Sequence, residues 1–140
     1  MAEPYYLLAL DYGNARIGVA IASSIARLPR PLTTLANGEA AMQQIAELVK
    51  RENVGLVVVG LPRTLSGGYS DQTHAAEAFG TALAQVLSVP VEMADETLTS
   101  VDAEAELAGK KHDKAAIDAL AATYILERYL MEHPASEARI

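Results

Sequence analysis

Apolar positions along the 140-residue chain follow two rhythms, short continuous runs and helical spacing, and the two alternate over most of its length. "YYLLALD" (residues 5–11) is apolar up to its last residue, as a central strand buried on both faces would be. "YGNA" follows with turn chemistry, because Gly13 and Asn14 both tolerate positive φ. "RIGVAIA" is a second β-rich run, so residues 5–22 predict a hairpin. "RLPRPLTTL" holds two prolines and predicts a loop leading into a short third strand near 32–35.

The period then changes. Met42, Ile45, Ala46 and Val49 stand at helical spacing within residues 39–52. "GLVVVG", a β-branched run between glycines, predicts a fourth strand, and "LPRTLSGGYS" a loop. A second helix is expected over 71–87, with Ala75, Ala78, Phe79, Ala82, Leu83 and Val86 on one side, and "VPVEMAD" makes a fifth strand. Thr99 with Asp102 has the form of a capping pair for a short helix ending at Gly109. Asp113 can cap a last helix over about 114–131, closed by His133-Pro134, with residues 134–140 a frayed tail. This order predicts a single α/β domain: a mixed five-stranded sheet, three strands antiparallel and two added in parallel through crossovers, flanked by helices.

Composition narrows the chemistry. The chain has no cysteine, which excludes disulfides, thiolate nucleophiles and Cys-ligated zinc. The first apolar run stops at Asp11 with no basic segment before it, and no run reaches the roughly 18 apolar residues of a membrane span. A cytoplasmic protein without a membrane partner is expected. The net charge of −7 speaks against wholesale nucleic-acid binding, but the charges are unevenly placed. Between Asp11 and Glu39 the only charged residues are Arg16, Arg27 and Arg30; between Arg63 and Lys110 there are eight acids and no Lys or Arg. Lys110, Lys111 and Lys114 then cluster around His112. Ordinary solvated surface charge explains each cluster taken singly; together they could form local basic fields on an acidic protein.

Three carboxylates stand at element ends. Asp11 closes an apolar strand before a glycine turn, where a turn-forming Asp is the ordinary alternative. Glu96 follows Asp95 at the carboxyl end of a parallel strand, a place where open α/β sheets bind ligands, although a loop acid before a helix would look the same. Asp118 has Lys114, Ala115, Ala121 and Ala122 as its helical neighbours, so its face is mostly small and apolar. It is either one half of a surface Lys114–Asp118 pair or an inward-facing carboxylate that needs a cation. Were the three to converge, hard oxygen ligands would select Mg2+ or Mn2+, and two ions about 3.5–4 Å apart could activate water against a phosphodiester.

"ALDYGNARIGVA", "VVVGLP", "DETLTS" and "DKAAIDALAATYILERYL" resemble, in that order, the YqgF (RuvX) family of ribosomal RNA precursor nucleases. These are relatives of Holliday-junction resolvases within the ribonuclease H-like superfamily. The resemblance runs from residue 5 to about 131. It implies a ribonuclease H-like fold, metal-binding acids at Asp11, Glu96 and Asp118, and trimming of the 5′ end of the small-subunit ribosomal RNA precursor. Gly13 and Gly18 match the glycines of the first motif and Arg16 its basic position. The loop departs from the family: Thr64 and Ser66 stand where Asn and Asp are common, while Gly67 and Gly68 are kept.

The leading expectation is therefore a metal-dependent nuclease acting on precursor RNA. In it Asp11, Glu96 and Asp118 hold the ions, Asp95 orients Glu96 or the water, and Arg16, Lys110, Lys111 and Lys114 meet phosphates. A resolvase of branched DNA is the second reading and would need a dimer; monomer and homodimer both remain open. The third is a non-catalytic module bound to ribosomal particles or the transcription machinery, with the acids a relic of the fold.

Overall fold

The computed structural model describes residues 4–63, 68–95 and 114–134. Within them lie strands β1 (Tyr6–Tyr12), β2 (Arg16–Ser23) and β3 (Arg30–Ala36), helix α1 (Ala41–Arg51), strand β4 (Val54–Leu61), helix α2 (Asp71–Val86), strand β5 (Val91–Asp95) and helix α3 (Lys114–Glu132). The sheet order is β3-β2-β1-β4-β5. β1 pairs antiparallel with β2 and parallel with β4; β2–β3 is antiparallel and β4–β5 parallel. The mixed α/β sheet expected from the pattern is present. The predicted short helix of residues 99–109, its Thr99 cap, the Asp113 cap and residues 135–140 lie outside the described residues.

β1 and β4 are apolar on both faces because both faces are covered. On one side Leu8, Leu10, Ile17, Val19, Val57 and Val59 pack against α1 (Ile45, Leu48, Val49) and Leu83 of α2. On the other, Leu7, Ala9, Ala20, Ala22, Leu56 and Val58 receive Ala122, Ile125, Leu126, Tyr129 and Leu130 of α3. Alternation along each strand therefore assigns every side chain to the α1/α2 face or to the α3 face.

Two expectations need adjustment. β3 is longer than residues 32–35 and includes Pro31, which is tolerated because β3 is an edge strand and its register with β2 shifts between Val19 and Ala20. The buried side of α2 is Thr73, Ala76, Gly80 and Leu83, while Val86 is exposed. Leu83 and Phe79 supply the apolar contact, and Gly80 lies close to β5: a Cβ on it would come 2.1 Å from the flexible end, Cε, of Met93. Ser70 caps α2 in a reciprocal pair with Thr73, whose buried hydroxyl also donates to the carbonyl of Pro62 just after β4.

α3 is fixed along its length. Thr34 Oγ1 of β3 donates to the carbonyl of Ala115 at 2.7 Å, and Tyr129 Oη donates to Glu92 of β5 at 2.9 Å. At the far end Arg27, in the left-handed region with φ 57°, donates to the carbonyls of Leu130 and His133. The tightest contact is at Gly18 of β2, where a Cβ would sit 1.9 Å from the carbonyl oxygen of Asp118.

Gly18→Ala should lower unfolding stability in urea by about 1–3 kcal/mol, because backbone must move to admit the methyl group. Gly38→Ala, with nothing within 4 Å, should change it by less than about 0.5 kcal/mol or raise it slightly. Burial, reinforced by the Glu92 carboxylate, pushes the Tyr129 hydroxyl well above its ordinary range. Because the folded state favours the protonated phenol, this contribution to stability is complete below about pH 10 and is lost as pH rises above that. Tyr129→Phe should flatten the alkaline limb of a stability–pH profile measured by chemical denaturation.

Candidate active site

Asp11 lies one residue before the end of β1. Leu7 and Ala9 point to the α3 side, so alternation puts Asp11 on that side too, partly exposed. Its partner across the antiparallel pair is Gly18, the residue against which α3 brings the backbone of Asp118. With Cα atoms of paired residues about 4.5–5.5 Å apart, one glycine neighbours the backbones of two acids 107 positions apart in the chain, by subtraction of their numbers.

Arg16, two residues before Gly18 on the same face of β2, donates from Nε to Oδ2 of Asp118 at 2.7 Å. Asp118 thus points toward the sheet, as its apolar helical face predicted, but its cationic partner comes from β2. Lys114 is the first residue of α3, one helical turn before Asp118. The turn that carries Arg16 is itself anchored. Gly13 N–H donates to the Arg16 carbonyl at 2.9 Å, and Asn37 Nδ2 donates to the Gly13 carbonyl at 2.7 Å. Neither Gly13 nor Asn14 has the positive φ that the turn chemistry allows; Gly13 is needed because a Cβ would lie 2.7 Å from the Arg16 carbonyl oxygen.

Asp95 ends β5 on the α1/α2 face, with Val91 and Met93, so it lies on the opposite side of the sheet from Asp11. Its Oδ1 accepts from Nη1 of Arg63 at 3.0 Å, and the guanidinium of Arg63 also lies 4.5 Å over the ring of Tyr69. Arg63 therefore ties the carboxyl end of β5 to the segment following β4. Glu96, Lys110 and Lys111 lie outside the described residues, as do Thr64 and Ser66. β4 separates β1 from β5, so the ends of those two strands are about 9.6 Å apart across the sheet. The reading of motifs missed Thr34, Asn37 and Arg63. Thr34 and Asn37 carried no signal, but Arg63, directly after the apolar strand and its proline, stood where a strand-end residue could have been noticed.

The family model for RuvX, described as Holliday junction resolvase, matches residues 5–132. The chain belongs to the RuvX family. A relative from Chloroflexus aurantiacus is 48% identical over 130 residues, covering 89% of this chain and 85% of the relative. A relative from Synechocystis is 37% identical over 136 residues, covering 93% and 90%. Both carry the name "Putative pre-16S rRNA nuclease". Among solved structures, a T. thermophilus RuvC in complex with Holliday junction substrate superposes with a TM-score of 0.54 at 14% identity, covering 94% of this chain and 97% of that one. At that identity the likeness concerns fold, and it agrees with the ribonuclease H-like architecture implied by the motifs.

For the RuvX chain the Arg16–Asp118 pair is an orienting contact rather than a stabilising keystone. The two side chains keep 37% and 24% of their surface exposed, and pairs that open to water are worth about 0–1 kcal/mol. Asp118→Asn should therefore shift the urea midpoint by the equivalent of less than about 1 kcal/mol; a loss above about 2 kcal/mol would make the pair structural.

Proposed function

We propose that this RuvX chain is a divalent-metal-dependent nuclease that hydrolyses phosphodiester bonds in precursor ribosomal RNA, at the 5′ end of the small-subunit RNA. The observation that supports this reading is that the backbones of Asp11 and Asp118 both adjoin Gly18 on one face of the sheet, in a family whose relatives bear the pre-16S rRNA nuclease name. The donor chemistry fits: two partly exposed carboxylates on one face are hard oxygen ligands suited to Mg2+ or Mn2+. Glu96, following the end of β5, would complete the set.

One or two such ions would polarise the phosphoryl group and lower the pKa of the attacking water. The chain's own residues do the rest. The sheet gives Asp11 a rigid base, and α3, locked by Gly18 and Thr34, presents Asp118 from above. Arg63 fixes the strand end before Glu96 through Asp95, so Asp95 acts by positioning the β5 terminus. Arg16, Lys114, Lys110 and Lys111 would hold phosphates, which sets the register of a strand without reading its sequence.

Cleavage of branched DNA is the second reading, favoured by the description of the family model. A four-way junction has two strands to cut symmetrically, so this activity would require a dimer. Incubating the protein with a precursor RNA segment and with a four-way DNA junction, in Mn2+, Mg2+ or EDTA, separates the readings. RNA cleavage that depends on metal and falls at least about 100-fold in Asp11→Asn and Asp118→Asn is expected, since both acids would contact the reacting centre. Equal activity in wild type and both variants would sink the proposal, and junction cleavage by a dimer would favour the resolvase.

A further inference from the structure

Arg16 occupies an unusual place for a phosphate-binding residue, because its guanidinium is already engaged by an acid assigned to the metal. We propose that Arg16 and the divalent cation exchange places on Asp118, and that the cation's arrival hands the guanidinium to a phosphate of the nucleic acid. This inference rests on the metal-dependent reading given above.

The geometry separates what can move from what cannot. The backbone of Arg16 is held on both sides: it pairs with Ala36 of β3, and its carbonyl accepts from Gly13 N–H. Asp118 cannot follow a departing guanidinium, since its own carbonyl is packed against Gly18 and the first turn of α3 is tied to Thr34. The arginine side chain, 37% exposed, can swing outward without opening the core. The contact is also single, made from Nε to one carboxylate oxygen at 2.7 Å.

Charge then decides the direction. With Asp118 bonded to Arg16, a doubly charged ion placed on the same carboxylate meets a nearby positive charge, so the two compete for it. A guanidinium displaced from a carboxylate keeps its fork of donors, and phosphate oxygens match that fork. On a chain of net charge −7, which repels a polyanion at long range, releasing a cation beside the metal supplies attraction at the point of reaction. Arg16 is thus a positioning residue that couples metal binding to phosphate binding, and linkage makes the coupling reciprocal.

The test uses the full chain and reads binding, not turnover. Mn2+ affinity is measured from the electron paramagnetic resonance signal of free Mn2+, without nucleic acid. RNA affinity is measured by fluorescence anisotropy of a labelled single strand, in Ca2+ and in EDTA. Arg16→Gln should bind Mn2+ at least about fivefold more tightly than wild type, Arg16→Lys should stay within about twofold, and Asp118→Asn should lose the site. Ca2+ should raise the RNA affinity of wild type, and Arg16→Gln should lose most of that gain. Unchanged or weaker Mn2+ binding in Arg16→Gln, or an equal RNA gain in both proteins, overturns the exchange. If wild type takes no Mn2+, or Asp118→Asn takes as much, the metal reading itself fails and the exchange falls with it.

Discussion

No side chain fits at position 18. β2 and α3 meet there with a carbonyl oxygen of the helix where a Cβ would have to be, and much of the site depends on that closeness. The contact sets the depth at which α3 lies over the sheet and brings Asp118 over the strand pair that carries Asp11. Two residues before Gly18, on the same strand face, Arg16 comes within reach of the Asp118 carboxylate. A glycine that looks like a packing detail is thus the junction of two distant acids and one base.

The remaining elements act as supports for that junction. Thr34 at the first turn of α3, Tyr129 with Glu92 toward its last turns and Arg27 at its end hold the helix along its length. A helix held in this way can place a carboxylate to within the tolerance that phosphoryl chemistry needs. Around the parallel strand ends the ties are of another kind. Arg63 joins Asp95, and Thr73 joins the end of β4 to the start of α2. These ties leave fixed strand termini on one side of the sheet, with Asp11 near the end of β1 and Arg16 at the start of β2 beside Asp118. The acidic balance of the whole chain is then compatible with a polyanionic substrate, because recognition depends on the field at the site.

Much of this was legible in the chain itself. Continuous apolar runs marked β1, β2 and β4, and the change from continuous runs to helical spacing marked α1 and α2, since a strand or helix covered by others must carry apolar groups at its own period. Asp11 stood out because a carboxylate closed an apolar strand, and Asp118 because its helical neighbours were small. What stayed hidden involved contacts between distant segments. Hydrophobicity put both Phe79 and Val86 on the inner side of α2; Phe79 does pack against the core, but Val86 is exposed, and the small residues Ala76 and Gly80 are buried beside Leu83 instead. Likewise, local spacing offered Lys114 as the partner of Asp118, while the structure supplies Arg16, 102 residues away. Helical periodicity cannot foresee a partner delivered by another strand. Asp95, adjacent to Glu96 in sequence, belongs to the face opposite Asp11, because it shares its side of β5 with Val91 and Met93.

The central claim is that Asp11 and Asp118 share one cation across Gly18. Paramagnetic broadening of backbone amide signals by substoichiometric Mn2+ tests it most directly. The account predicts selective loss of the Asp11, Gly18 and Asp118 signals, with Asp71 and Glu127 little affected. Broadening centred on other acids, with those three signals intact, would contradict it.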